Sequence, residues 1–511
     1  MNFIFSHLLS LIVFTPLLGA IVVMLLPGHQ KRLIRWVAFG LSLIPFILSV
    51  VLWVNFVPGE PGYQFVEQAD WLPALGVRYH VGVDGLSLTL ILLTTLLTPL
   101  GVLISFSIEE HVRSFFALFL FLETGILGYF VALDLIIFFI FWEIGLVPMY
   151  FLINQWGSAN RRYASLKFFL YTMAGSLAML LAIQVIWIAS RSIAPTGTFD
   201  IPLLTQMRPF TGEQVLPFLP QELARTIAFW AFVIAFAIKV PIWPVHTWLP
   251  DAHTEAPTAG SMILAGVLLK MGAYGFLRVV IPFFPAEAAR FALALAVLAL
   301  LSILMGAYAA YGQTDFKRLV AYSSINHMGI VILGIAVAAA TLGTKQYAEH
   351  GVMAYNGAVL QMFNHGLTSA ALFALVGMVY ERTHTRDLSA YGGLWVVMPA
   401  YGGILIYSAM ANLGLPGLGS FVSEFLVVRG AWPVYTLITA LAMIGLVMTA
   451  AFTLMAVQRV LHGPLNPRWK GLREITWREG LAMAPLMIGL LAIGVWPRWI
   501  LDVINAAAQF L

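Results

Sequence analysis

The strongest constraint on this chain is that apolar runs long enough to cross a membrane follow one another with scarcely a gap. A spanning helix needs about 20 mostly apolar residues, and about 14 such runs are found. They lie at 3–26, 33–57, 84–107, 114–133, 135–154, 164–190, 224–249, 257–281, 288–311, 317–340, 351–380, 395–427, 431–461 and 480–509. In hydrocarbon every backbone N–H and C=O must be satisfied within the protein, which leaves helices as the form for runs of this length. The sequence therefore predicts an all-α polytopic membrane protein, a single membrane domain over residues 1–511. Composition excludes a water-soluble reading: 61% of residues are hydrophobic and 10% charged, against about 25% charged in soluble domains. The N-terminus lacks the basic stretch of a cleaved signal, so 3–26 is read as the first span. The connections at 58–83 and 191–223, the two longest, are expected to be loops.

With 27 basic and 23 acidic residues the net charge is +4. The cations are scattered at the ends of apolar runs, so no nucleic-acid partner is implied. There is no cysteine, which excludes disulfides and thiolate-held iron–sulfur clusters in this chain. Neither a P-loop nor a dinucleotide fingerprint is present. Lys and Arg collect on one side of a membrane. The odd-numbered connections, from 1–2 to 13–14, share about 16 of the basic residues, including Lys31, Arg32, Arg35, Arg161, Arg162, Lys317, Arg318, Arg468, Lys470 and Arg473; the even-numbered ones share about 9. Both termini are expected on the outer, periplasmic side.

Two segments are interrupted. Segment 7 reads FAIKVPIWPVHTWLP, with Pro241 and Pro244 just after Lys239. Segment 12 reads NLGLPGLGSFVSEF, with Gly414, Pro416, Gly417 and Gly419 ahead of Glu424. Proline and glycine clusters break helices, and broken backbone is tolerated in a membrane only inside protein or beside water. Paired interruptions in matching halves point to an ion or substrate site. These two stand five segments apart, and a repeat of odd length must be inverted in its second copy. The expectation is two inverted five-helix repeats, 114–281 (segments 4–8) and 288–461 (segments 9–13). Two unrelated kinks are the plainer alternative, since the two sequences are not alike.

Ionisable residues inside apolar helices are costly, about 2.5–3.5 kcal/mol each on insertion scales, and default to a functional reading. Here they are Glu123 (segment 4), Glu143 (5), Lys239 (7), Lys270 (8), His327 (10), His365 (11) and Glu424 (12). Glu143 and Lys239 read either as a switchable pair or as a static ion pair that fixes packing. Lys270 has no opposite charge in its own segment, and a lysine taken out of water can give up its proton; snorkelling to the surface is hard from mid-segment. Gln361, His365 and Thr368 form a polar stripe, which serves either interhelical hydrogen bonding or a proton relay, since histidine titrates near neutrality. Glu123 is a second carboxylate or a helix-end group. The run from His246 to Glu255 lacks HExxH spacing and Pro250 breaks any common helical face, so it reads as a loop shaping an entrance rather than a metal site.

The stretches ALDLIIFFIFWEIGLVPMYFLI, AFAIKVPIWPVHTWLPDAHTEAPTAGSMILAGVLLKMGAYG, QTDFKRLVAYSSINHMG and LGLPGLGSFVSEF resemble the antiporter-like membrane subunits of respiratory NADH:quinone oxidoreductase, complex I. The resemblance covers roughly residues 80–480. QMFNHGLTSAALFALVGMVYERTHTRD resembles the chain 4, or M, branch; the L branch is expected to continue past segment 14 into a lateral helix and a further span. The resemblance implies a 14-helix fold with inverted repeats and broken helices 7 and 12. It also implies roles: Glu143 as the carboxylate of helix 5, Lys239 as its partner, Lys270 and His327 as the central groups of helices 8 and 10, and Glu424 as the terminal acid of helix 12. His246, His365 and Glu123 are secondary candidates for the proton path. Such a subunit translocates protons and holds no cofactor itself; NADH, FMN, iron–sulfur clusters and quinone belong to partner subunits of the membrane and peripheral arms. The setting implied is a bacterial inner membrane or an equivalent energy-transducing membrane, with lipid as the other partner. The same motifs occur in multisubunit sodium/proton antiporters, which is the alternative function.

Overall fold

The structure is a computed structural model that describes residues 5–191, 194, 196–207 and 219–508. Numbered by span, the helices are α1 (Leu8–Leu25), α2 (Lys31–Asn55), α3 (Gly85–Ile104), α4 (Val112–Val131), α5 (Leu135–Trp156) and α6 (Arg161–Ser190). After these come α7a (Gln221–Lys239) with α7b (Trp248–Glu255), α8 (Thr258–Phe283), α9 (Pro285–Tyr311), α10 (Phe316–Ala340) and α11 (Ala348–Thr383). The chain ends in α12a (Pro399–Asn412) with α12b (Gly419–Ala431), α13 (Thr436–Leu461), α14 (Trp477–Val495) and the short α15 (Arg498–Ala508). Among the described residues, 13 helices are long and apolar enough to cross a membrane. The fourteenth span is α12, whose halves are each too short to count alone.

Helix starts follow from side chains that satisfy the free N–H groups of a first turn. Asp84 accepts from Ser87 N at 3.0 Å, Asp134 from Ile136 N at 2.8 Å and Asp315 from Arg318 N at 2.9 Å. Thr476 and Glu479 form a capping box at α14. The breaks fall where the prolines and glycines stand. Helix α7a ends at Lys239, and residues 240–247 carry the chain through Pro241 and Pro244 into α7b. Gly414 and Gly417 turn the chain between the halves of α12 with φ of +81° and +94°, a region glycine enters at little cost.

Four details depart from the sequence reading, one being that the 191–223 connection, expected as a loop, carries a short helix, Ile201–Met207. Segment 7 continues to Glu255 beyond its break, because the interruption is internal to the crossing rather than its end. Segment 14 is two helices, α14 and α15, since Pro497 supplies no N–H to continue the first. The 58–83 connection is an antiparallel hairpin, β1 (Gln64–Leu72) and β2 (Val77–Val83), joined through Pro73–Gly76. The carboxylate of Glu67 in β1 accepts from Leu9 N at 2.9 Å and Ser10 N at 3.1 Å, so the hairpin caps the free end of α1.

Helices α8 and α11 are buried along their whole apolar length, and α10 nearly so. Helices α2, α13 and α14 lie at the periphery with exposed apolar faces, as lipid contact requires. Polar side chains on the central helices therefore meet one another rather than solvent.

Candidate functional site

Helix α8 is not regular. Two π turns, Leu264–Leu268 and Phe276–Val280, interrupt it. A π turn shifts the i→i+4 bonding by one residue, and such bulges recur at functional sites. The first presents the Ala265 carbonyl to a side chain five residues on: Lys270 Nζ donates to Ala265 O at 2.5 Å. Lys270 is fully buried. Its second contact is His365 Nδ1 on α11, at 2.7 Å. The two helices come this close because glycines face each other. A methyl group on Gly366 would lie 2.6 Å from Leu93 Cδ2 and 2.9 Å from Gly266 O.

From His365 the ionisable groups continue across three helices. The rings of His365 and His327 have centroids 5.6 Å apart. His327 Nδ1 lies 3.2 Å from Glu424 Oε1, and its Nε2 has no hydrogen-bond partner. Gln361 Nε2 donates to Glu424 Oε1 at 3.2 Å, and Ser423 Oγ donates to Gln361 Oε1 at 2.5 Å. Asn364 Nδ2 donates to Gly419 O at 2.8 Å, which ties α11 to the first residue of α12b. Glu424 sits against the break: a methyl group on Gly414 would meet its Oε2 at 2.7 Å. The structure thus brings Lys270, His365, His327 and Glu424 into one buried line.

Glu143 and Lys239 are a looser pair. They are near enough for their charges to act on each other, yet they form no direct ion pair and neither Glu143 Oε1 nor Lys239 Nζ has a hydrogen-bond partner. The lysine cation rests on the ring of Trp142, 4.7 Å from its centroid, a favourable cation–π position. Trp142 is in turn held by its Nε1 donating to Ser176 Oγ at 2.9 Å. Lys239 is the last residue of α7a, so the break begins at the cation itself. No hydrogen bond among the described residues joins this pair to Lys270.

Two candidates stand off the line. Glu123 lies in the middle of α4, which rules out the helix-end reading, and it is 1% exposed. Its polar neighbour Thr98 donates instead to Thr94 O at 3.0 Å, so both Glu123 oxygens go unpartnered. His246 is half-buried in the α7 break, within electrostatic reach of Lys167.

Sequence alone does not single out two residues near the line. His253 on α7b is fully buried, stacks on Phe373 with centroids 4.6 Å apart, and has no partner for either nitrogen. It is within electrostatic reach of both Lys270 and Lys317. Lys317, a loop cation by sequence, is sunk at the start of α10, where Nζ donates to Ala256 O. At the other end of α8, Arg278 donates to Asp84 at 2.7 Å, to Tyr63 at 2.7 Å, to Ser87 at 3.0 Å and to Tyr274 at 3.0 Å. Burial opposes the charge on Asp84, but the guanidinium and the hydrogen bonds around it outweigh burial and hold the carboxyl below the usual carboxylate range.

A family model described as NADH:quinone oxidoreductase/Mrp antiporter, TM, matches residues 132–450. NADH-quinone oxidoreductase subunit M of Rhodobacter capsulatus is 41% identical, over 99% of this chain and 96% of the relative. NADH-ubiquinone oxidoreductase chain 4 of Marchantia polymorpha is 37% identical, over 98% and 96%. A chain of respiratory complex I from Thermus thermophilus superposes with a TM-score of 0.84 at 30% identity, covering 98% of this chain and 99% of that one. A chain of the Mrp complex from Dietzia sp. DQ12-45-1b gives 0.83 at 22% identity over 99% and 97%, a likeness of fold. The family model, the motifs, the broken helices and the relatives agree: the chain belongs to the antiporter-like membrane subunits of NADH:quinone oxidoreductase, on the subunit M, or chain 4, branch.

Proposed function

We propose that the chain carries protons through the membrane along Lys270, His365, His327 and Glu424, driven by electron transfer in the other subunits of NADH:quinone oxidoreductase. The observation that carries this reading is the 2.7 Å contact of Lys270 Nζ with His365 Nδ1, continued to Glu424 through His327. An ammonium facing an imidazole nitrogen can pass its proton with little movement of either heavy atom. His327 has one nitrogen free and the other on the Glu424 carboxylate, so it can accept on one side and donate on the other. Lys239 and Glu143 set the charge felt by this line. With the pair apart, the lysine is held by Trp142 alone; closure on Glu143 would favour its protonated form. Glu123 and His246 take secondary parts as buried side stations.

The two broken helices sit at corresponding places in repeats 114–281 and 288–461, which we read as inverted copies that share the line between them. NADH, FMN, iron–sulfur clusters and quinone belong to partner subunits, and the setting is a bacterial inner membrane or an equivalent one. The test is Glu424→Gln in the assembled complex. Glutamine keeps the contacts to Gln361 and His327 but cannot take a proton. Normal assembly with donor:quinone turnover and proton uptake both reduced is expected; full uptake in that variant overturns the line.

A further inference from the structure

On the basic side of the molecule a cleft of about 380 Å³ opens between the start of α2 and the start of α14. Arg32, Arg35, Trp36, Phe106, Trp477 and Arg478 line it. Its charge is lopsided. Lys31 and Arg35 both bind Glu109, at 2.9 and 2.5 Å. Arg32 and Arg478 have no carboxylate partner among the described residues, and Arg478 lies over the Phe106 ring, 5.6 Å from its centroid. Arg35 Nε is buried with no hydrogen-bond partner. Three of these cations also stand in the first turn of a helix, Lys31 and Arg32 in α2 and Arg478 in α14. That is the end where a helix dipole disfavours positive charge and favours an anion. No side chain caps the start of α2. At α14 the capping box with Glu479 already meets the dipole, and at α2 Glu109 answers Lys31 and Arg35, so it is Arg32 and Arg478 that are left facing the cleft without an anion.

We propose that this cleft binds the phosphate of an anionic phospholipid in the leaflet on the basic side of the membrane. Trp36 and Trp477 are 41% and 67% exposed, at the level where indole rings favour the headgroup region. Below them α2 and α14 both pack on α3. Leu92, Leu96 and Ile104 of α3 are partly exposed apolar side chains, the surface on which the acyl chains would lie. At the outer end of α2, Trp53 packs against Trp499, with centroids 5.5 Å apart. The 17 steps from Trp36 to Trp53 span about 26 Å at a helical rise of 1.5 Å, close to the hydrocarbon thickness. The neighbouring cavity of about 550 Å³ is not the phosphate site: there Arg382 is already committed to Glu479 at 2.7 Å, and Glu381 and Glu474 add negative charge.

The test uses the whole complex in lipid nanodiscs of phosphatidylcholine with and without phosphatidylglycerol. Electron cryomicroscopy should show a phosphate among Arg32, Arg35 and Arg478, with two tails along α3, only when phosphatidylglycerol is present. Native mass spectrometry should show retention of phosphatidylglycerol falling roughly thirty-fold in R32Q/R478Q, since each basic residue near a surface contributes a factor of about five. R32K/R478K should retain most of it and controls for folding. Equal occupancy by phosphatidylcholine, a tail-less phosphate appearing with inorganic phosphate in zwitterionic discs, or a neighbouring subunit's segment filling the cleft would each overturn the proposal.

Discussion

His365→Gln separates a proton relay from a packing role. His365 is 2% exposed and its Nδ1 accepts from Lys270 Nζ at 2.7 Å. A glutamine carbonyl can occupy the same place, so Lys270 keeps two acceptors, the new amide and Ala265 O at 2.5 Å. The stability cost is therefore small, within about 1 kcal/mol, the scale of one exchanged hydrogen bond. What is lost is a group that titrates. A positioned acid–base group contributes about 10²–10⁴ in rate, so proton transfer through this step, and coupled turnover with it, should fall by about 100-fold or more. His365→Leu should behave differently. It leaves one acceptor fewer for a buried lysine and costs about 1–3 kcal/mol, so assembly suffers as well. The assay is donor:quinone turnover and pH-gradient formation in native membrane vesicles, with assembly followed on native gels. A glutamine variant that assembles and pumps at the wild-type rate, beside a leucine variant that assembles poorly, would refute the relay and leave His365 as a packing residue.

Glu143→Gln should assemble and fail to pump, because no direct ion pair is broken and the charge acting on Lys239 is removed; Glu143→Asp should keep partial activity, and neutralising both residues should not restore transport. Gly366→Ala should destabilise the complex by about 1–3 kcal/mol, the usual cost of overpacking, and slow turnover by parting α8 from α11, read by thermal unfolding and activity. Asp84→Asn leaves Arg278 buried without its carboxylate and should cost about 3–5 kcal/mol. Because the folded-state value of Asp84 is depressed, its contribution is complete above the unfolded value of about 3.9 and is lost only as pH falls through the lower folded value. The stability gap between the Asp84→Asn variant and wild type should thus stay constant from about pH 8 to about pH 5.

Much of this architecture is legible in the sequence because hydrocarbon leaves few choices. Apolar runs fix the spans, Pro241, Pro244, Gly414 and Gly417 fix the breaks, and any charge inside a run is conspicuous. Glu143, Lys239, Lys270, His327, His365 and Glu424 all stand out that way. What sequence could not give is which of them touch. The Lys270–His365 contact depends on a π turn at Leu264–Leu268 and on Gly266 facing Gly366, and neither leaves a mark in hydrophobic periodicity. His253 is hidden by its neighbours: in a run crowded with polar residues, one fully buried imidazole does not stand out. The hairpin at 64–83 is hard to see because PALG lacks the Asn-Gly or Asp-Gly pair that announces a two-residue hairpin turn, and its strands alternate only weakly.

The most direct test of the central claim is Lys270→Ala, measured for donor:quinone turnover and proton uptake in the same vesicles of the assembled complex. Alanine suits the helix, and the deletion removes the first member of the line while sparing His365, His327 and Glu424. The account predicts normal assembly with both rates reduced together, since blocked protons hold back the electrons. Proton uptake and donor:quinone turnover both at the wild-type rate, with the variant subunit verified in the complex, would contradict it.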